Sequence, residues 1–321
     1  MARSASSAYI EYGYESTFKG GSVALPMLFG KEQKVNGLEW NPNLQPLGQL
    51  NTPEVECFVN GRNEGKCSME YVLANPWIFS SLFGNPTSTL DTGARYDHVW
   101  ASDPSVNAGI KDISSLHLQI GIDALTGDVV RNAKGVVCPS LTMKMALNEP
   151  IRVTQELIWG NEDAVGTTLD ASVGSVGSFT PYTFVHANIE LPSGTSIATV
   201  QDFDLTFDTG AELLYQLNTP NAVDAWRKIL TMTGKMNLTV LDKTHIDAVM
   251  ARTEVANLKV TITNGLTGDN LKDIVMTFTG IGLALHTTSG LEPGELLLEN
   301  VDFQCRRINI NAKNNTSAQP S

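Results

Sequence analysis

A pentapeptide, Gln-Leu-Asn-Thr-Pro, occurs twice in this chain, at Gln49–Pro53 and again at Gln216–Pro220. Three further landmarks follow each copy in the same order, and their gaps are similar apart from one longer gap in the first half. An ordered set of shared landmarks indicates one module written twice, and such a repeat has to be found before a fold is assigned. The landmarks are Gly65-Lys66 and Gly234-Lys235, Leu125–Asp128 and Leu266–Asp269, and Glu149-Pro150 and Glu292-Pro293.

The composition suits two globular modules. The chain has 321 residues, of which 42% are apolar and only 7% aromatic. This length is more than one core usually occupies, so two domains of about 150 residues are expected. The formal net charge of −12 indicates a surface that repels nucleic acid. Since no run of about 20 apolar residues occurs, the sequence predicts no transmembrane helix.

Most of the chain predicts β-structure, because apolar and polar residues alternate in many short runs. Two segments instead predict one short helix in each half. Pro76–Phe83 follows an N-capping Asn75 and stops at Gly84, and His245–Met250 places its apolar residues on one face. The predicted strands include Leu116–Ile122, Leu141–Leu147, Asp202–Asp208, Leu258–Thr263, Ile274–Leu285 and Leu296–Phe303.

The repeat also predicts the domain boundaries. The first domain covers residues 1–165 and the second covers 179–305, with a Gly- and Ser-rich linker at 166–178. Residues 84–115 of the first domain have no counterpart in the second and are expected to form a long surface loop. The polar segment 306–321 is expected to be a flexible tail.

No arrangement of residues predicts catalysis, a metal site or a cofactor. The five histidines and four cysteines are scattered and match no motif for nucleophilic, zinc or phosphate chemistry. The sequence therefore predicts a protein that is not an enzyme. Asp202, Asp204 and Asp208 share one face of a predicted strand. Such a row is either an ordinary solvated face or the lining of an aqueous channel.

The module order resembles that of the tail tube proteins of tailed phages and related viruses. Gly65–Tyr71 followed by the Pro76–Phe83 helix is similar to the strand and helix of that family, and so is Gly234–Val240 followed by His245–Met250. The predicted hairpins at 116–135 and 258–280 also match. The opening segment Ile10–Phe18 resembles the Gly-x-Glu-Ser-Thr-aromatic start of the larger tube proteins.

The resemblance implies two tandem β-sandwich or barrel domains, each flanked by one short α-helix. In the family, six such domains make a ring around a DNA channel, so two fused copies imply a homotrimeric, pseudo-hexameric ring. Rings stack into the tail tube, which serves in DNA ejection. The implied partners are further copies of the chain, the terminator, baseplate and tape measure proteins, and DNA in transit, without a membrane. The implied location is the virion tail, assembled in the host cytoplasm.

If the ring forms, four carboxylates are candidates for its lumen. Asp202, Asp204 and Asp208 lie on the polar face of one strand, and Glu39 lies in the corresponding segment of the first half. An acidic lumen suits DNA passage, because phosphates are repelled and not retained.

Other functions remain open at this point. The same fold occurs in tail terminators, in distal tail or baseplate hub proteins, and in the tubes of contractile secretion systems. A tandem β-sandwich that binds carbohydrate or mediates adhesion belongs to a different class. That class requires an exposed aromatic or Ca²⁺-binding cluster, which the sequence does not present.

Overall fold

The computed structural model describes residues 8–20, 25, 27–48, 54–105, 114–124, 127–174, 181–191, 194, 196–197, 200–239, 244–252, 254–267, 271–290, 292, 297–317 and 319. The first copy of the repeated pentapeptide, Gln49–Pro53, therefore lies outside the described residues. The same holds for parts of the two predicted Leu-Thr-Gly-Asp turns.

Strands dominate both halves, which confirms the mainly β fold class. In the first half they are β1 (Ala8–Tyr14), β2 (Met27–Leu28), β3 (Gly30–Asn41), β4 (Gln45–Gly48), β5 (Val55–Val59), β6 (Glu64–Leu73), β7 (Thr87–Thr92), β8 (Arg95–Ala101), β9 (Leu116–Ile122), β10 (Val129–Ala146) and β11 (Arg152–Trp159). In the second half they are β12 (Ala187–Glu190), β13 (Val200–Asp208), β14 (Glu212–Leu214), β15 (Asp224–Trp226), β16 (Thr231–Thr239), β17 (Val255–Thr263), β18 (Asp273–Ser289) and β19 (Leu298–Asn314).

Eight of these strands form one continuous antiparallel layer, which we call the long sheet. Its order is β3-β6-β11-β10-β13-β16-β19-β18. The first four strands come from the first half of the chain and the last four from the second half. The halves meet where β10 pairs with β13, so one sheet runs through both.

The pairing pattern repeats. Strands β3-β6-β11-β10 correspond to β13-β16-β19-β18, and the outer pairs β1–β9 and β9–β10 correspond to β12–β17 and β17–β18. The two glycines of the Gly-Lys landmarks have equivalent surroundings. A Cβ atom added to Gly65 would overlap the ring of Trp159, and one added to Gly234 would overlap the ring of Phe303. Each glycine thus makes room for an aromatic side chain on the next strand.

Alternation along the strands decides which face is buried. In β13, Phe203, Leu205 and Phe207 are fully buried, and the intervening residues lie on the opposite, partly exposed face. Burial of such large side chains contributes about 1.5–3 kcal/mol each. The long sheet therefore has one apolar face against the core and one polar face.

The first predicted helix is confirmed in place but not in type. Asn75 Oδ1 accepts a hydrogen bond from the Trp77 amide, and the segment starts as a 3₁₀ turn at Pro76–Phe79. It continues as α1 (Ser80–Phe83), which is buried, and ends at Gly84 with a positive φ of 76°. The second predicted helix is present as α2 (Thr244–Ala251).

Two segments differ from the sequence-based expectation. Residues 84–115 were expected to be a surface loop, but they contain the β7–β8 hairpin, which pairs with the end of β19. Residues 306–314, expected in a flexible tail, continue β19 between β8 and β18. Each segment pairs with one edge of the other, while its second edge pairs with β18 or β7.

Candidate functional site

The four carboxylates predicted to share a function lie on the polar face of the long sheet. Asp202, Asp204 and Asp208 alternate with the buried side of β13. Glu39 lies on β3 opposite Lys66, and its carboxylate Oε2 is 3.2 Å from Lys66 Nζ. Because Asp204 lies opposite Lys235 in the same way, Glu39 and Asp204 are equivalent positions of the two halves.

Asp204 belongs to a row of charged side chains that crosses five strands in register. Arg152, Lys144, Asp204, Lys235 and Asp302 follow one another on β11, β10, β13, β16 and β19. Three of the four neighbouring pairs in this row carry opposite charges, which attract each other across a sheet. Arg152 instead lies opposite the like-charged Lys144 and forms ion pairs with Glu32 and Glu70. The face therefore carries paired charges of both signs rather than acidic groups alone.

The protonation of Asp204 depends on its burial within this row. Desolvation raises the pKa of its carboxyl and the neighbouring Asp202 adds to that rise, whereas Lys144 and Lys235 act in the opposite direction. Its Oδ1 atom is buried and accepts no hydrogen bond from the described residues. Desolvation without a hydrogen-bond donor disfavours the charged form of a carboxyl.

A second row on the same face is uncharged. Thr154, Thr142, Thr206 and Thr233 lie opposite one another on β11, β10, β13 and β16. Across the junction of the two halves, the hydroxyl oxygens of Thr142 and Thr206 are 3.1 Å apart. Threonine suits this position because a β-branched side chain packs well on a pleated surface.

Sequence reasoning selected the carboxylates of this face and missed its cations. Lys66, Lys144 and Lys235 alternate with apolar residues just as the aspartates do, so the same period of two could have identified them. Their pairing with particular carboxylates could not be predicted, because it depends on the register between strands that are far apart in the chain.

The long sheet has two open edges. β3 pairs with β6 on one side, and no described strand pairs with its other side. β18 pairs with β17 only as far as Ile281, and from Gly282 to Ser289 its edge away from β19 has no described partner. Unpaired sheet edges are templates for pairing with another chain.

Where the halves meet, the second half packs on α1. The ring of Phe207 lies 5.9 Å from that of Phe83, in an edge-on arrangement, and Arg227 Nη1 donates a hydrogen bond of 2.9 Å to the carbonyl of Leu82. Thr209 Oγ1 donates to the carbonyl of Cys138 at 2.9 Å. We refer to this set of contacts as the internal joint.

His98 makes structural contacts. His98 lies between Ser88 Oγ at 2.8 Å and Asn314 Oδ1 at 3.0 Å, and burial lowers the pKa of its ring. In the parts of the chain that the structure describes, no three His, Cys, Asp or Glu side chains are placed to hold a metal ion. None of the described helices is both long and apolar enough to span a bilayer.

The structure defines a mainly β protein built on one continuous antiparallel sheet with one polar face and two open edges. The model of the phage tail tube protein family matches residues 50–305, which is most of the chain. The chain therefore belongs to the phage tail tube protein family. No curated protein matches it at a significant level. Membership makes it a structural component of the virion tail that assembles with itself and with other tail proteins.

Proposed function

We propose that this chain is the major tail tube subunit, and that three copies close into a ring whose stacked repeats form the channel for DNA. The observation that carries the proposal is the pairing of β10 with β13. In the order of the long sheet, each half begins with β3 or its counterpart β13 and ends with β10 or its counterpart β18. The pairing of the two halves within one chain thus indicates how two chains pair.

Equivalence identifies the strands of that second joint. β18 takes the place of β10, and β3 of the next subunit takes the place of β13. Ring closure pairs both open edges of every subunit, which removes the aggregation risk that such edges carry. A closed ring of tandem domains then needs half as many chains as a ring of single domains, hence three in place of six.

The strand registers of the two halves also predict which residues of neighbouring subunits lie opposite each other. Thr142 lies opposite Thr154 and Ser289 lies opposite Leu298, in equivalent positions of the two halves. Asn41 is opposite Glu64 and Thr206 is opposite Thr233, each one residue before the glycine of Gly-Lys. The Thr142–Thr206 contact therefore corresponds to a contact between Ser289 and Asn41 of the next subunit.

In this ring the polar face of the long sheet lines the lumen, because its other face is covered by the core. Glu39, Asp202, Asp204 and Asp208 then line the channel, each half contributing a carboxylate opposite a lysine. Carboxylates repel the phosphates of passing DNA, and the lysines paired with carboxylates bind phosphate less strongly than free ones. The lumen is thereby suited to transient, non-specific passage.

The division of the chain into a first domain, a linker and a second domain follows the same repeat and is part of the proposal. Assembly takes place in the host cytoplasm, with the terminator, baseplate and tape measure proteins as the further tail partners. A terminator or baseplate hub of the same family would close a single ring and would not extend it into a tube.

The ring is tested by a disulfide across the proposed joint between chains. Asn41→Cys and Ser289→Cys are combined in a Cys57→Ser background, since Cys57 is the exposed native thiol among the four. Opposed residues of neighbouring antiparallel strands have Cα atoms about 4.5–5.5 Å apart, within the reach of a disulfide. Oxidised assemblies on a denaturing gel are expected to give a ladder that ends at three linked chains.

The matched control joins Thr142→Cys to Thr206→Cys, which lie in one chain and should give no ladder. A ladder ending at six chains overturns the trimeric ring, and oxidation that links no chains in assembled material overturns the edge pairing. Electron microscopy of the same sample separates stacked tubes, which the proposal requires, from single rings.

A further inference from the structure

A cleft of about 360 Å³ lies between the end of α2 and the unpaired edge of β18. Met250, on α2, has 79% of its surface exposed. One exposed apolar side chain is common on protein surfaces, but beside a cleft it offers apolar surface that a partner can cover. The cleft is lined by Val249, Arg252, Glu254, Gly282, Leu283 and Ala284.

The corresponding place in the first half is filled. There, Phe207 and Thr209 of the second half pack at the end of α1 and against β10, where Thr209 N donates a 2.8 Å hydrogen bond to the carbonyl of Pro139. Phe207 is fully buried by these contacts. The internal joint thus consists of strand pairing together with a segment inserted beside a helix.

The two places correspond through the strand registers. Leu283 lies opposite Phe303, and Val137 lies opposite Ile158, one residue before Trp159. Phe303 and Trp159 are equivalent, because each faces the glycine of a Gly-Lys landmark. Leu283 is therefore the counterpart of Val136, which lies two residues before Cys138 on β10. The α2 cleft thus lies beside the counterpart of the place where Thr209 contacts β10.

The segment that would fill the α2 cleft follows from the same correspondence. Asn41 is equivalent to Thr206, so Pro42–Leu44 take the positions of Phe207–Thr209. Leu44 has 51% of its surface exposed, although it is a large apolar residue close to the open edge of β3. An exposed leucine and an exposed methionine are chemically matched partners.

We propose that the α2 cleft is the docking site for Pro42–Leu44 of a second copy of this chain. The proposal rests on the ring closure proposed above and adds a second contact to it. Strand pairing alone would hold two subunits by backbone hydrogen bonds, whereas insertion of Leu44 beside Met250 also removes apolar surface from water. The contact between chains would then reproduce both parts of the internal joint.

The test uses Met250→Lys and Leu44→Lys in the full-length chain, because both side chains are exposed and their replacement leaves the core intact. Each substitution is expected to raise the protein concentration needed for assembly by about tenfold or more, since it places an unpaired charge in an apolar contact. Combining Met250→Lys with Leu44→Glu is expected to restore part of the loss. Val185→Lys is the matched control, because Val185 is 70% exposed and lies in the turn before β12.

Sedimentation and electron microscopy give the readout. If the wild-type chain forms tubes and both lysine variants assemble at the same concentration, the docking site is overturned while ring closure stands. If Met250→Lys blocks assembly and Leu44→Lys does not, the cleft holds another segment or another tail protein, and the proposal for Pro42–Leu44 fails. A wild-type chain that stays monomeric under all conditions overturns both proposals.

Discussion

Glu15 is the residue that most clearly explains the opening motif. Its carboxylate accepts hydrogen bonds from Ser115 Oγ at 2.5 Å, from the Gly135 amide at 3.0 Å and from the Lys19 amide at 2.9 Å. It therefore ties the end of β1 to the start of β9 and to Gly135 on β10, where φ is +63°. Burial raises the pKa of the Glu15 carboxyl, and these hydrogen bonds counteract part of the rise.

Replacing Glu15 tests this role. Glu15→Ala leaves two buried donors and one partly buried donor without an acceptor. It is expected to lower the free energy of unfolding by about 2–4 kcal/mol, measured by urea denaturation at pH 7. Glu15→Gln keeps one acceptor and should lose less. A loss in Glu15→Ala no larger than that of an ordinary surface substitution would contradict the proposed role.

The stabilities of the wild type and Glu15→Gln are also expected to depend differently on pH. Burial raises the pKa of the Glu15 carboxyl above its ordinary value in the folded state. The charged carboxylate therefore costs stability at neutral pH, and that cost disappears as the carboxyl is protonated. Glu15→Gln has no such proton to bind. The stability of the wild type relative to Glu15→Gln should therefore rise as the pH falls from 7 to 5, and a fall would refute the sign of the shift.

Among the elements, the β7–β8 hairpin adds a second strand pairing between the two halves. It leaves the first half after α1 and pairs with β19 of the second half. Trp100 on β8 is fully buried, with its ring 6.0 Å from those of Trp77 and Phe79, and its Nε1 donates to Ser80 Oγ at 3.1 Å. The hairpin thus covers α1 and, through β19, links it to the second half. In the part of the second half that the structure describes, no hairpin covers α2 in this way.

Trp100→Ala is expected to lower the free energy of unfolding by about 3–5 kcal/mol, because it opens a cavity between the hairpin and α1. Leu90→Ala in the same hairpin is the control, since Leu90 is 61% exposed and its loss should cost about 0.5 kcal/mol or less. Chemical denaturation measures both. Equal losses in the two variants would mean that the hairpin does not hold α1 in place.

At the level of the whole molecule, the proposed ring makes one face of the long sheet inaccessible to large reagents. Lys235 lies in the charged row, and its side chain is 71% exposed in the single chain. In a Cys57→Ser background, Lys235→Cys is expected to react with a maleimide that carries a long polyethylene glycol chain when the subunit is free, and to be protected in assembled tubes.

Val185→Cys, in the turn before β12, serves as the control for this labelling and should react in both states. If Lys235→Cys reacts with the maleimide in intact tubes, the polar face lies outside the channel. Glu39, Asp202, Asp204 and Asp208 would then have to be reassigned from the lumen to the outer surface or to subunit contacts.

Comparison of the two halves of the sequence determined the duplication. Local patterns determined the mainly β class, the helical segment after Asn75 and the solvent-facing side of β13. These three follow from residues that are close in the chain: a period of two in a strand, an N-cap and a proline at a helix start. For this reason the face of β13 on which Asp204 lies could be predicted from the sequence.

Only the tertiary structure decided which strands lie side by side. The pairing of β10 with β13, the docking of β8 on β19 and the row that joins Lys144 to Asp204 all connect residues far apart in the chain. β7 has no apolar alternation and is exposed along its length, so it carried no strand signal of its own. Its pairing arises because edge hydrogen bonds and the burial of Trp100 stabilise it in place, and local periodicity records neither.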